Sequence, residues 1–281
     1  MTDKIALIVD SGSDVPQQVL AAHSNVAVVP LHVRQNGQDF QDGVDLTPDD
    51  FYAHLTTDNL PQTASPAPGL ITQQMQALFD QGYTKLLGIT ISSGLSATYQ
   101  GFRLAAGAFA EGQVMTLDSK SAGIGSGLLA VYALDLIDQG HSFVEVIAAV
   151  QHAIAHSHVW LYVPTLKYLQ AGGRIGKVAS VLGTALQIKP LLAVDERGEV
   201  AAVAKVRSEH KAIKKLLELA LAQVTPQSTI AVAHGANPEL LHTVTAAIEQ
   251  AGHHVAYTGS VSAAIGVHTG PGLIGVAVQN P

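Results

Sequence analysis

Apolar and polar positions alternate along this chain in two different rhythms. Ile5–Val9 is an unbroken apolar run, the pattern of a strand covered on both faces. The loop Asp10–Asp14 follows, and Pro16 opens a short helix reaching about His23. Val26–Val33 reads as the next strand, and Asn36-Gly37 between polar residues predicts a tight hairpin turn. Thr47-Pro48-Asp49-Asp50 is a helix start: a capping hydroxyl, proline at the first position and acids at the positive helix end. Two prolines stiffen a loop over 62–69, and a helix then runs to Gln81 and stops at Gly82. Lys85–Ile91 and Val114–Asp118 predict further strands. Each leads into helix, the first ending near Phe109, the second dotted with glycine up to Gly140 and followed by Ser142–His156. Strand and helix taking turns in this way predict an α/β layer with a mostly parallel sheet over residues 1–157.

After that the rhythm loosens. Val159–Val163 predicts a strand, Thr165–Ala171 a helix closed by Gly172-Gly173, and Val178–Leu186 a further helix. Leu191–Val194 and Val200–Val206 flank the turn Asp195–Gly198 and read as a hairpin. A helix to Val224, strand Thr229–Ala233, helix Pro238–Ala251, strand Val255–Gly259 and a last strand near Ile274–Val278 complete the pattern. Hairpins mixed with helices predict an α+β domain over residues 158–281. The boundary has no low-complexity linker, which implies a broad, fixed interface, and clefts between domains favour ligands.

Composition narrows the function classes. Of 281 residues, 47% are hydrophobic and 13% charged, against a usual charged share of ~25%, so a disordered chain is excluded and a large buried apolar surface is implied. A net charge of −7 provides no basic footprint for nucleic acid. With no cysteine, thiolate catalysis and cysteine-held metal sites are excluded. Mean hydropathy is +0.26, yet no uncharged apolar run reaches the ~18 residues that span a bilayer. The first residues lack the form of a signal peptide, and a cytoplasmic protein is expected.

Several motifs fail their context tests. Gly270-Pro271-Gly272-Leu273-Ile274-Gly275 matches G-x-G-x-x-G, but six residues remain after it, too few for the crossover helix of a dinucleotide site. Gly123, Gly125 and Gly127 lack the third fingerprint glycine and suit close helix packing. Gly172–Lys177 resembles a phosphate-binding loop, but Val178 stands where Ser or Thr is required. His152, His156 and His158 lack the glutamate of a zinc protease helix. The hydroxyl group Ser92, Ser93, Ser96 and Thr98 is more informative. It lies between a strand and a helix, where open α/β sheets bind ligands and where helix amides favour an anion. Helix capping explains one of these hydroxyls, not four. A nucleophilic serine is the rival reading, without the G-x-S-x-G elbow.

With these residues in place, the chain resembles the DegV family of bacterial fatty acid-binding proteins. The resemblance rests on Val9-Asp10-Ser11, Pro30-Leu31, Asp42-Gly43, Thr63–Pro66, Ile91–Gln100, Asp118-Ser119, Gly172–Ile175, Ile188–Pro190, Val206-Arg207 and His268–Gly272. It implies two domains with one long-chain, palmitate-like fatty acid in a tunnel between and inside them. It further implies that Thr63, Ser93 and His268 bind the carboxylate, supported by the loop residues Ser92, Gly94, Ser96, Gly270 and Gly272. It implies a non-catalytic carrier without cofactor or metal. A separate fatty acid kinase subunit, docking near Arg174 and Arg207, would convert the bound acid to an acyl-phosphate. The family's Thr-Ser-Gln-Pro reads Thr63-Ala64-Ser65-Pro66 here, and its Leu-Ser-Gly-Thr reads Leu95-Ser96-Ala97-Thr98. The alternative is a serine hydrolase cleaving a small acyl ester through Ser93 and His268.

Overall fold

A computed structural model describes residues 3–56, 59–181 and 189–281. The strands are β1 (Ile5–Asp10), β2 (Val26–Val29), β3 (His32–Gln35), β4 (Gln38–Gln41), β5 (Gln62–Ala64), β6 (Lys85–Thr90), β7 (Val114–Asp118), β8 (His158–Tyr162), β9 (Lys189–Val194), β10 (Val200–Val206), β11 (Thr229–His234), β12 (Val255–Ser260) and β13 (Ile274–Gln279). The helices are α1 (Gln17–Ala22), α2 (Pro48–His54), α3 (Pro68–Asp80), α4 (Thr98–Ala106), α5 (Ile124–Asp138), α6 (Phe143–His156), α7 (Lys167–Ala171), α8 (Glu209–Leu221), α9 (Pro238–Gln250) and α10 (Ala263–Thr269).

The first half holds a four-stranded sheet in the order β2-β1-β6-β7, parallel throughout. Its central strands β1 and β6 are covered on both faces, which is why β1 is apolar at every position but its last. One face carries Ile71, Met75 and Leu78 of α3 and Phe102 of α4; the other carries α5 and α6. The second half holds a six-stranded sheet in the order β10-β9-β8-β13-β11-β12. Only β11 and β12 run parallel; β13 is antiparallel to both its neighbours. Helices α8 and α9 cover one face through Ile213, Leu216, Val244 and Ile248.

Helix α5 joins the two layers. Its sequence is apolar around most of its circumference, and such a helix must be enclosed. Leu129, Ala130 and Leu134 pack on the parallel sheet, while Ile124 and Leu128 pack on the inner face of the six-stranded sheet. Gly127 brings the helix so near the backbone of Ser13 and Asp14 that any side chain would collide with it.

The structure differs from the sequence reading at four places. Pro30 and Leu31 divide the expected strand Val26–Val33 into β2 and β3, which join different sheets because proline lacks the N–H that a continuous ladder needs. The 62–69 loop contributes β5, which completes a small antiparallel sheet β4-β3-β5. Of the expected helix Val178–Leu186, residues 178–181 belong to a 3-10 turn over Gly176–Val181, and the rest lies outside the described residues. Helix α10 is an element the sequence reading lacks. Asn36 and Gly37 both adopt positive φ in the β3–β4 turn, and Thr47 accepts from the Asp50 N–H, as expected.

Candidate functional site

A cavity of about 100 Å³ lies between the two halves. Leu31, Ile91, Leu95 and Ile124 wall it from the first half; Val159, Leu161, Ala233 and Leu273 wall it from the second. Polar side chains enter the lining at Thr63, Ser96, Arg174, His268 and Thr269. Of these, Thr269 is turned back on its own helix, its hydroxyl donating to the Ile265 carbonyl.

Four elements build the polar group. Thr63 sits on β5, pinned in register opposite Val33. His268 lies in the last turn of α10, which ends at Gly270 with φ +72. The His268 Nε2 stands 2.8 Å from Thr63 Oγ1. Gly172 closes in on the other side of the ring: a side chain there would overlap His268 at Nδ1. That nitrogen is buried and has no hydrogen-bond partner among the described residues. Burial, with the Arg174 cation nearby as a smaller cause, pushes the His268 imidazole down to about 4. The ring is therefore neutral at physiological pH. Among the described lining residues, the positive charge is that of Arg174.

Arg174 follows α7 and is held by its backbone acceptors. Its Nε donates to the Leu95 carbonyl at 3.1 Å and its Nη1 to the Gly172 carbonyl at 2.7 Å. A guanidinium carries five N–H donors, so the side chain is fixed with donors left to offer. Arg174, expected near the docking site, lines the cavity and is half-buried. Arg207 stays exposed beyond β10, apart from that wall.

The hydroxyl block divides by direction. Ser96 lines the cavity, and its Oγ lies 2.8 Å from Thr98 Oγ1 and 3.2 Å from Ser65 Oγ. Ser93, the expected carboxylate ligand, is not in the cavity lining. Its hydroxyl donates to Asp118 Oδ2, and Lys120 Nζ lies 3.4 Å away. Burial raises the Asp118 carboxyl, but the bonds from Lys120 and Ser93 outweigh it and hold the group below its usual range. Lys120 Nζ is 2.7 Å from Asp118 Oδ2. Ser92 Oγ donates to the Gly198 carbonyl at 2.8 Å, and Gly94 abuts the same turn, so these two loop residues join the halves. Gly272, with φ +85, donates its N–H to the Gly235 carbonyl and shapes the chain between α10 and β13. Ser93 and His268 are thus committed to different partners, Asp118 and Thr63, and form no nucleophile–base pair.

A second cavity, about 750 Å³, lies at the carboxyl end of β1 and is lined by Asp10, Asp14 and Asp42. Burial raises all three carboxyls, Asp10 to about 7. Asp10 Oδ2 accepts the Ile91 N–H at 2.8 Å, and Asp42 Oδ2 accepts from Ser11 Oγ at 2.7 Å. Among the described residues no group of histidine and acidic side chains has the geometry to hold a metal ion.

The model of the family described as "Uncharacterised protein, DegV family" matches residues 4–280. The chain belongs to the DegV family. A DegV domain-containing protein of Clostridium acetobutylicum is 34% identical over 280 residues, covering 98% of this chain and 99% of the relative. A fatty acid binding DegV family protein from Thermus thermophilus superposes with a TM-score of 0.91 at 29% identity, covering 99% of this chain and 100% of that one. A fatty acid binding DegV family protein from Streptococcus agalactiae gives a TM-score of 0.91 at 26% identity over the whole of both chains. Among the described residues no helix is long and apolar enough to cross a membrane.

Proposed function

We propose that this DegV protein binds a long-chain fatty acid, its tail in the apolar cavity and its carboxylate at Thr63, Ser96, His268 and Arg174. The observation that carries this reading is a polar cluster with one fixed cation at a cavity whose remaining walls are aliphatic. A buried carboxylate must be hydrogen-bonded and preferably paired with positive charge. Thr63 and Ser96 offer hydroxyl donors, and Arg174 supplies the charge. Burying about 14 methylenes at ~0.8 kcal/mol each contributes on the order of 11 kcal/mol, part of which is lost to ordering the chain.

The further step is presentation in the cytoplasm to a separate kinase subunit. A carboxylate oxygen attacks the terminal phosphorus of ATP, ADP leaves, and an acyl-phosphate forms. The carrier contributes positioning, which supplies most of the catalysis in phosphoryl transfer. Its own glycine motifs favour this division of labour: Gly270–Gly275 runs from the end of α10 into β13, with no helix to cradle a nucleotide. Arg207, exposed beyond β10, is the docking cation in this reading.

Mass spectrometry of solvent extracts from the purified chain tests the binding step, with palmitate and oleate offered to it. A chain that carries no fatty acid and takes up neither one overturns the reading. Addition of a fatty acid kinase subunit and ATP tests presentation, read as acyl-phosphate.

A further inference from the structure

Gly275 lies inside β13, on the inner face of the six-stranded sheet, and lines the cavity. The strand registers place it opposite Leu161 of β8 and Ala233 of β11. Directly opposed residues share a face, and all three line the cavity. The neighbouring row on the same face is Val159, Ala277 and Ala231. Ala277 and Ala231 are fully covered and absent from the lining, whereas Ala122, Gly123 and Ile124, where α5 begins, are part of it. The cavity therefore opens where α5 starts and where the facing row shrinks to Gly275 and Ala233.

Glycine inside a strand is destabilising and needs a reason. The usual ones are missing at this position. Its φ is not positive. Among the described residues a Cβ would meet only the Trp160 carbonyl at 3.7 Å and the Ala233 carbonyl at 3.9 Å, ordinary contact distances. Backbone shape and packing both permit a side chain; what a side chain would do is fill the cavity. A strand glycine of this kind marks close approach of a ligand to the backbone. We infer that Gly275, with Ala233 beside it, is the specificity-determining floor of the cavity, kept bare so that an unbranched hydrocarbon tail can lie directly on the backbone of β13.

This inference rests on the fatty-acid reading and adds the residue that sets the bore. It also predicts opposite signs for stability and binding. Gly275→Ala and Gly275→Val should leave thermal unfolding of the full chain without added lipid unchanged or raise its midpoint, since both residues suit a strand better than glycine. The same variants should weaken palmitate in displacement of a fluorescent fatty-acid analogue, valine more than alanine. For valine the loss should be about tenfold, the equivalent of roughly two buried methylene contacts. Equal palmitate affinity in wild type and Gly275→Val overturns the inference while leaving fatty-acid binding intact. A large drop in the unfolding midpoint of Gly275→Ala also overturns it, because the glycine would then be structural. A wild-type chain that binds neither palmitate nor oleate overturns the fatty-acid reading and this inference with it.

Discussion

His268 and Thr63 meet at 2.8 Å although 205 positions separate them in the chain. One comes from the last turn of α10, the other from a three-residue strand of the first half. The imidazole is neutral, so its contribution is directional: in the tautomer that carries the proton on Nε2, the ring donates to Thr63 Oγ1 and the threonine proton is free to point at a ligand oxygen. Fatty-acid affinity should then stay level between pH 6 and pH 8. A fall of tenfold or more across that window, seen in displacement titrations, would mean that a charged imidazole holds the ligand.

The two serines of the hydroxyl block should separate under mutation. Ser96→Ala removes a hydroxyl at the cavity and should weaken palmitate by about tenfold, the worth of one hydrogen bond to a charged acceptor. Ser93→Ala acts on Asp118 and Lys120 and should leave affinity within about twofold. The reverse ranking would return the carboxylate to Ser93.

Arg174→Gln should empty the site, since the substitution removes the cation that a buried carboxylate needs; a loss of about thirtyfold or more is expected. Arg207→Glu should retain lipid and lower acyl-phosphate formation when a kinase subunit is present. Normal lipid content in purified Arg174→Gln, measured by mass spectrometry, would place the guanidinium back at the rim.

Asp10 gives the protein a pH dependence of opposite sign to ordinary acid denaturation. Burial raises its carboxyl from 3.8 to about 7, so the folded form holds a proton that the unfolded chain releases. The contribution to stability is complete below pH 4 and is lost as pH rises to 7, by up to a few kcal/mol. Asp10→Asn keeps an acceptor for the Ile91 N–H and should flatten this slope. Urea unfolding at pH 5 and pH 8 measures it; equal slopes in wild type and variant would show that Asp10 is ionised in the folded state.

The layer order was readable where one local signal decides it. Buried parallel strands announce themselves as unbroken apolar runs, and the Asn36-Gly37 turn and the Thr47 cap each follow from a dipeptide's chemistry. Helix α10 escaped because seven residues are too few to show a helical period, although Ser262 before it and Gly270 after it bracket it. The hydroxyl block was legible as a place and not as a direction. Ser93 and Ser96 are three residues apart in one loop, and only the register of Asp118 beside β6 and the reach of Ser65 decide which faces the cavity. For Arg174 the deciding partners are carbonyls of Leu95 and Gly172, and no sequence pattern marks a carbonyl.

Because α5 gives one flank to each sheet, neither half owns it. Expressed without its companion, the amino-terminal piece would present Ile124 and Leu128 to water, and the carboxy-terminal piece would lose the lid over Ala231 and Ala277. The whole chain is therefore expected to melt in a single step.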